Sequence, residues 1–354
     1  MNPDGVIDLS SDTSTRPTKA MYDAMVDAKV GDEQKRADPT VNALCERVAD
    51  VLGKQAAVFL PSGVMCNLTG ILVQCGRGDV VITDRTAHVL TMEGGTPAAV
   101  AGVMIHSIDG ERGIFSGADV DRAITVSPKK NVARTALISI EQTSNRGGGS
   151  IWPLETIREV SRIAREKGVA MHMDGARMLN ASVASGVSPR DYAAEFDTAW
   201  IDLSKGLGCP VGAVLAGPTE LIEEAWRWKH RLGGAMRQAG VLAAAGLHAL
   251  ENHVDRLADD HRNARRLAAG LAEVPGVSSI WGEPETNMVF LDVSGSSLSA
   301  PQWLQALLDR GISIGVESES ALRAVTHLDV DSDDIDVVLE VMREVAGAQR
   351  PRAH

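Results

Sequence analysis

Short apolar runs alternating with amphipathic stretches constrain this chain more than any other feature. "QAAVFLPSG" reads as a strand entering a Ser-Gly turn, and "VMCNLTGILVQC" resumes at helical spacing. "DVVITD", "VARTALISIEQ", "VAMHMD", "TAWIDLS" and "AVLAG" repeat the strand signal, with the amphipathic "ETIREVSRIAREKG" among them. Strands alternating with helical stretches of roughly 10 to 15 residues predict parallel βαβ units and an α/β fold. After about residue 215 the pattern turns to long helical stretches. A smaller α+β unit follows, with "NMVFLDV", "SAPQWLQALLDRG", "ISIGV", "LRAVTHL" and a last helix near 333–347. The tail "GAQRPRAH" is expected to fray.

Length and composition narrow the partners. A chain of 354 residues, 44% hydrophobic and 23% charged, can bury a large core and reads as a globular protein of one large and one smaller domain. Its net charge of −12 argues against nucleic acid or an anionic membrane as the main partner, which leaves small molecules. Cys45, Cys66, Cys75 and Cys209 form no C-x-x-C pair and no zinc pattern, so no metal is expected and a reducing, cytoplasmic setting fits. The opening "MNPDGVIDLSSD" lacks the basic patch and apolar stretch of a secretory signal, and no run reaches membrane-spanning length.

Four features fall at strand ends or turns, where parallel α/β proteins place ligands. Ser62, Gly63 and Val64 open a helix, whose free N–H groups can hold a phosphate or whose serine can simply cap it. Asp174 ends the strand "VAMHMD" before Gly175. It can present a carboxylate at the sheet edge, act as an ordinary cap, or pair with Arg177, which is itself able to grip a small anion. Lys205, in "DLSKGLGCPVGA", is held among glycines. A lysine buried there presents a neutral amine able to attack an aldehyde, whereas one that reaches solvent is an ordinary surface cation. His88 and Glu93, in "TAHVLTMEGG", follow a strand, and an imidazole there can stack on a flat ring or move a proton. A phosphate turn, a carboxylate and a Schiff-base lysine together describe a pyridoxal 5'-phosphate (PLP) site.

The order of "IDLSSDTSTRP", "DPTVNAL", "AHVLTMEGG", "HMDGAR", "LSKGLGCPVG", "GGAMRQAG" and "LRAVTHLD" resembles the threonine aldolase family, in the β-eliminating lyase group of fold-type I PLP enzymes. That resemblance implies a large domain over 17–245 with a mostly parallel, mixed sheet flanked by helices. It also implies a small α+β domain over 246–354 and an N-terminal segment, 1–16, that contributes to the active site. By the same resemblance Lys205 carries the cofactor, Asp174 faces its ring nitrogen, and Ser62, Gly63, Val64 and Ser204 surround its phosphate. His88 stacks on the ring and is a candidate base, and Ser11, Arg177 and Arg323 hold the substrate carboxylate. Arg237 is implied to reach a neighbouring subunit's site, in a homotetramer built as a dimer of dimers. The implied reaction is retro-aldol cleavage of a threonine-like β-hydroxy-α-amino acid to glycine and an aldehyde.

Several positions depart from the family pattern. Lys35 and Arg36 replace a Tyr-Gly pair, Ser144 stands in "EQTSN" where a histidine serves the β-hydroxyl, and Met92, His230 and Val64 replace an aromatic, a lysine and a threonine. The first three lie on the substrate side. The alternative they raise is the same cofactor site used for elimination, replacement or aldehyde exchange on another amino acid, one that is anionic if Lys35 and Arg36 add charge at the mouth.

Overall fold

In a computed structural model of the chain, residues 5–127 and 129–348 are described. Residues 349–354 of the tail expected to fray lie outside them, as do residues 1–4. The chain divides into two compact units, one of Pro17–Val254 and one of Met1–Arg16 with Asp255–His354. β1 (Ile7–Leu9) belongs to the second.

The larger unit opens with α1 (Lys19–Val26) and α2 (Pro39–Leu52). Asp38 starts α2 by accepting from the N–H groups of Thr40 and Val41, with Pro39 in the first turn. Gly53 ends it at φ 62°. β2 (Ala56–Leu60) then feeds α3 (Gly63–Leu72) through Ser62, whose Oγ accepts from Met65 N. β3 (Val80–Asp84), α4 (His88–Thr91), β4 (Met104–Ile108), α5 (Gly117–Ala123), β5 (Thr135–Glu141), α6 (Leu154–Glu166) and β6 (Ala170–Asp174) continue the alternation. After α7 (Met178–Ser185) and α8 (Pro189–Ala193) come β7 (Thr198–Asp202), β8 (Ala213–Gly217), α9 (Thr219–Arg231) and α10 (Gly240–Asn252).

These strands form one sheet in the order β2-β8-β7-β6-β5-β3-β4. All are parallel except β8, which is antiparallel to both its neighbours. No helix separates β7 from β8, and a strand that returns without a crossover can pair only antiparallel. Every residue of β5, β7 and β8 is buried, as expected of strands covered on both faces. The C-terminal ends of β2, β3, β5, β6 and β7 therefore share one edge, which carries Ser62, His88, Glu141, Asp174 and Lys205.

The smaller unit adds α11 (Leu257–Leu271), β9 (Ser278–Ser279), β10 (Met288–Asp292), α12 (Ala300–Leu308), β11 (Ile312–Val316), β12 (Ala321–Val325) and α13 (Ser332–Ala348). Its sheet runs β1-β11-β12-β10-β9, with only the β1–β11 pair parallel. Trp303, Leu267, Leu291, Leu322 and Met342 fill its core. The long helical stretches expected after residue 215 are α9, α10 and α11, and the chain breaks between α10 and α11 at the border of the two units. Among the described residues no helix is long and apolar enough to cross a membrane.

Candidate active site

Lys205 follows β7 in a loop closed at its neck by Leu203 N donating to Gly212 O. Its Nζ lies 2.9 Å from Asp202 Oδ2, and the side chain is 18% exposed. Asp202 Oδ1 accepts from Ser204 N and Ser204 Oγ at 2.8 and 3.0 Å, so the carboxylate that holds the amine also fixes the serine beside it. The N-terminus of α3 meets this group directly. A Cβ on Gly63 would lie 2.4 Å from the Trp200 ring and 3.2 Å from Asp202 Oδ2, so only glycine lets the helix end come so close. Gly63 and Val64 stand in the first turn of α3, where N–H groups have no partner within the helix.

Asp174 is also fixed in orientation. Oδ1 accepts from Ala176 N at 3.0 Å and Oδ2 from Asn67 Nδ2 at 2.7 Å, with the residue nearly fully buried. Arg177 is buried too, and its backbone N–H donates to Gln142 O at 3.0 Å. His88 Nδ1 lies 2.8 Å from Glu93 Oε1, which raises the imidazole pKa through that hydrogen bond. Burial and the Asp174 charge in turn raise the Glu93 pKa.

Sequence reasoning missed Asn67, Asp202 and Glu141. Glu141 pairs in register with Asp174 across β5 and β6 and accepts from His88 N and Asn145 N, both at 2.9 Å. Burial and the neighbouring Asp174 push its pKa up to about 7. A strand-terminal glutamate next in line to a strand-terminal aspartate was the available signal. Asn67 offers none, being one polar residue within an apolar helix.

Arg36 donates to Glu223 at 2.7 Å and covers the Trp226 ring at 5.4 Å. Lys35 is 78% exposed, 4.0 Å from Asp32. Ser144 is buried in the loop after β5, where a Cβ on Gly113 would sit 2.0 Å from its Oγ. Arg237 pairs with Asp32 at 3.1 Å and is mostly exposed. Met92 is exposed on the turn after α4. His230 lies on α9 beside Trp226. In the smaller unit, Arg323 on β12 donates to Ser10 O at 3.1 Å and meets Glu317 at 3.3 Å. Ser11 caps the short turn Asp12–Ser14 there.

Residues 8–296 match the family model described as beta-eliminating lyase. The low specificity L-threonine aldolase of Escherichia coli K12 is 40% identical over 337 residues, covering 93% of this chain and 96% of that protein. The low-specificity L-threonine aldolase 1 of Arabidopsis thaliana is 38% identical and covers 96% of each. Among solved structures, Leishmania major threonine aldolase superposes with a TM-score of 0.83 at 18% identity, over 96% of this chain and 99% of that one. Sphingomonas wittichii serine palmitoyltransferase superposes with a TM-score of 0.75 at 17% identity, over 98% of this chain and 89% of that one.

Proposed function

We propose, from the premise that this chain belongs to the beta-eliminating lyase family, that it is a PLP-dependent carbon–carbon lyase of fold type I. It cleaves threonine or a similar β-hydroxy-α-amino acid to glycine and an aldehyde. The observation that carries the reading is one sheet edge holding a carboxylate-bound lysine, a glycine-opened helix N-terminus and an oriented aspartate, in a chain 40% identical to a threonine aldolase.

The residues present fit the cofactor. Gly63 leaves room for backbone donors at the start of α3, and Ser62, Gly63, Val64 and Ser204 would hold the phosphate. PLP supplies an aldehyde for the amines of Lys205 and substrate, and a ring that withdraws electrons from the substrate's α-carbon. Lys205 provides the amine, and Asp202 keeps it oriented and can hold its proton. Asp174, with both oxygens fixed by Asn67 and Ala176, would hold a proton on the ring nitrogen. His88 has Nδ1 committed to Glu93, which leaves Nε2 to exchange a proton with the substrate. Arg177 would bind the substrate carboxylate, a role the family resemblance gives also to Arg323 and Ser11.

Arg36 is taken up by Glu223, so its charge gives no support to an anionic second substrate group. We further assign the protein to the cytoplasm as a homotetramer with active sites shared between subunits. Tyr22, Val26 and Val30 support the assembly, since they expose apolar surface along α1 and the residues after it.

The test is to incubate the PLP-loaded protein with L-threonine and with L-allo-threonine and assay glycine and acetaldehyde. Equal yields of the two products, lost in Lys205→Ala, support the assignment. No aldehyde from either amino acid, with cofactor bound, overturns it.

A further inference from the structure

Helix α3 turns one face toward β6 and β7, and that face reads Gly63, Asn67, Gly70. The spacing of four and then three residues keeps all three in line. Each glycine admits a ring. A Cβ at Gly63 would lie 2.4 Å from the Trp200 ring, and one at Gly70 would lie 2.4 Å from His172 Cε1. The helix therefore lies close enough for the short Asn67 side chain, buried between these glycines, to reach groups from three elements.

Its amide uses all four of its hydrogen-bonding positions. Oδ1 receives Trp200 Nε1 at 2.7 Å and His172 Nε2 at 3.1 Å. Nδ2 donates to Asp174 Oδ2 and to Glu93 Oε1, both at 2.7 Å. An indole N–H is only a donor, so it fixes which end of the amide is oxygen and turns both N–H bonds toward the two carboxylates. The chain behind it is set as well. His172, kept neutral by burial that lowers its pKa to about 3, donates from Nε2, and its Nδ1 accepts from Thr198 Oγ1 at 2.8 Å. Thr198 Oγ1 accepts from Gln74 Nε2 at 2.8 Å. On the other side Glu93 Oε1 is shared between Asn67 and His88 Nδ1, while Glu93 Oε2 is buried without a partner among the described residues.

We propose that Asn67 is a positioning residue that ties Asp174 to the His88–Glu93 pair, so that one amide sets both the carboxylate facing the cofactor ring and the proton inventory of the imidazole. This rests on the PLP reading above. The charged and titratable groups around His88 are Glu93, Asp174 and Glu141, and the Asn67 amide donates a hydrogen bond to each of the first two. Removing it leaves two carboxylates less compensated, which favours the protonated imidazole.

The experiment compares wild type, Asn67→Ala and Trp200→Phe as holoenzymes. It reads the PLP dissociation constant, the His88 titration midpoint by 15N-histidine NMR and the Tm. Asn67→Ala is expected to weaken PLP by about tenfold, as loss of a residue that orients a primary ligand does, and to raise the His88 midpoint by about half a pH unit. Trp200→Phe removes the N–H that sets the amide's direction along with part of the ring packed against Gly63, so it is read through the His88 midpoint, which moves the same way by less. It decides the matter if Asn67→Ala does not fold. A fall in Tm with both readouts unchanged makes Asn67 mere packing and overturns the proposal, and movement of only one readout overturns the coupling. Failure of the PLP reading is recognised separately, because wild type itself would then not bind PLP.

Discussion

Two lysines of the larger unit each stand against a carboxylate and a tryptophan. Lys205 Nζ lies 2.9 Å from Asp202 and 5.9 Å from the Trp200 ring centroid, with 18% of its side chain exposed. Lys229 Nζ lies 2.7 Å from Glu33 and 4.6 Å from the Trp226 ring, with nothing exposed. Burial lowers the Lys229 pKa, the property usually sought in a reactive amine. Yet Lys229 is sealed inside α9, and Glu33 also accepts from Met236 N at 2.7 Å, so the pair fastens the 30–38 segment to the loop after α9. Lys205 sits in a glycine-flanked loop at the sheet edge. An amine becomes a catalytic group through access and oriented neighbours, and a shifted pKa alone marks structural pairs just as readily.

The sharpest way to break this comparison is to exchange the losses. Lys205→Ala should cut kcat/KM by about a thousandfold or more while lowering Tm less than Lys229→Met does, because Asp202 keeps its two Ser204 donors. Lys229→Met should keep cofactor attachment, seen as the visible absorbance that Lys205→Ala abolishes. Attachment lost equally in both variants would erase the distinction. Stability should divide the other way. Lys229→Met strands the Glu33 charge, and urea unfolding is expected to show a loss of about 3–5 kcal/mol, whereas adding Glu33→Leu should recover most of it.

The smallest effect concerns pH. The Glu141 pKa is about 7 in the folded protein and near 4.5 when unfolded, so between these values the folded state holds the extra proton. Stability therefore falls as pH rises through that window. His88, with its folded pKa raised above 6.5, contributes stability that is full below 6.5 and is lost as pH climbs past its folded value. Both changes belong to the sheet edge that carries Lys205. Glu141→Gln should flatten Tm against pH between 5 and 7, an effect on the order of 1–3 kcal/mol. The Lys229→Met, Glu33→Leu double variant should leave that slope as it was.

The same contrast explains what the sequence made legible. Lys205 and Asp174 stand at strand ends beside glycines, where local pattern and chemistry coincide, and Ser62 opens a helix by an ordinary capping rule. The alternation of strands and helices likewise reads from nearest neighbours. Lys229 and Glu33 carry no such mark, because each meets its partner only once the chain has folded across a long separation. Asn67 is hidden for a related reason: its four partners come from α3's surroundings, and helix periodicity says only that it faces inward. The antiparallel course of β8 was within reach of the sequence, since ten residues without a helix cannot carry a parallel return.

That short return also bears on the order in which the molecule assembles. In a sheet otherwise joined by long crossovers, β7 and β8 close the shortest loop, and the entropy of closing a loop grows with its length. Contacts near in sequence form fastest. The segment that bears Lys205 thus belongs to a hairpin able to pair before the distant strands β2 and β5 find their places, so the nucleophile's setting is a local product of the chain, while the aspartate and histidine that serve it must wait for the sheet.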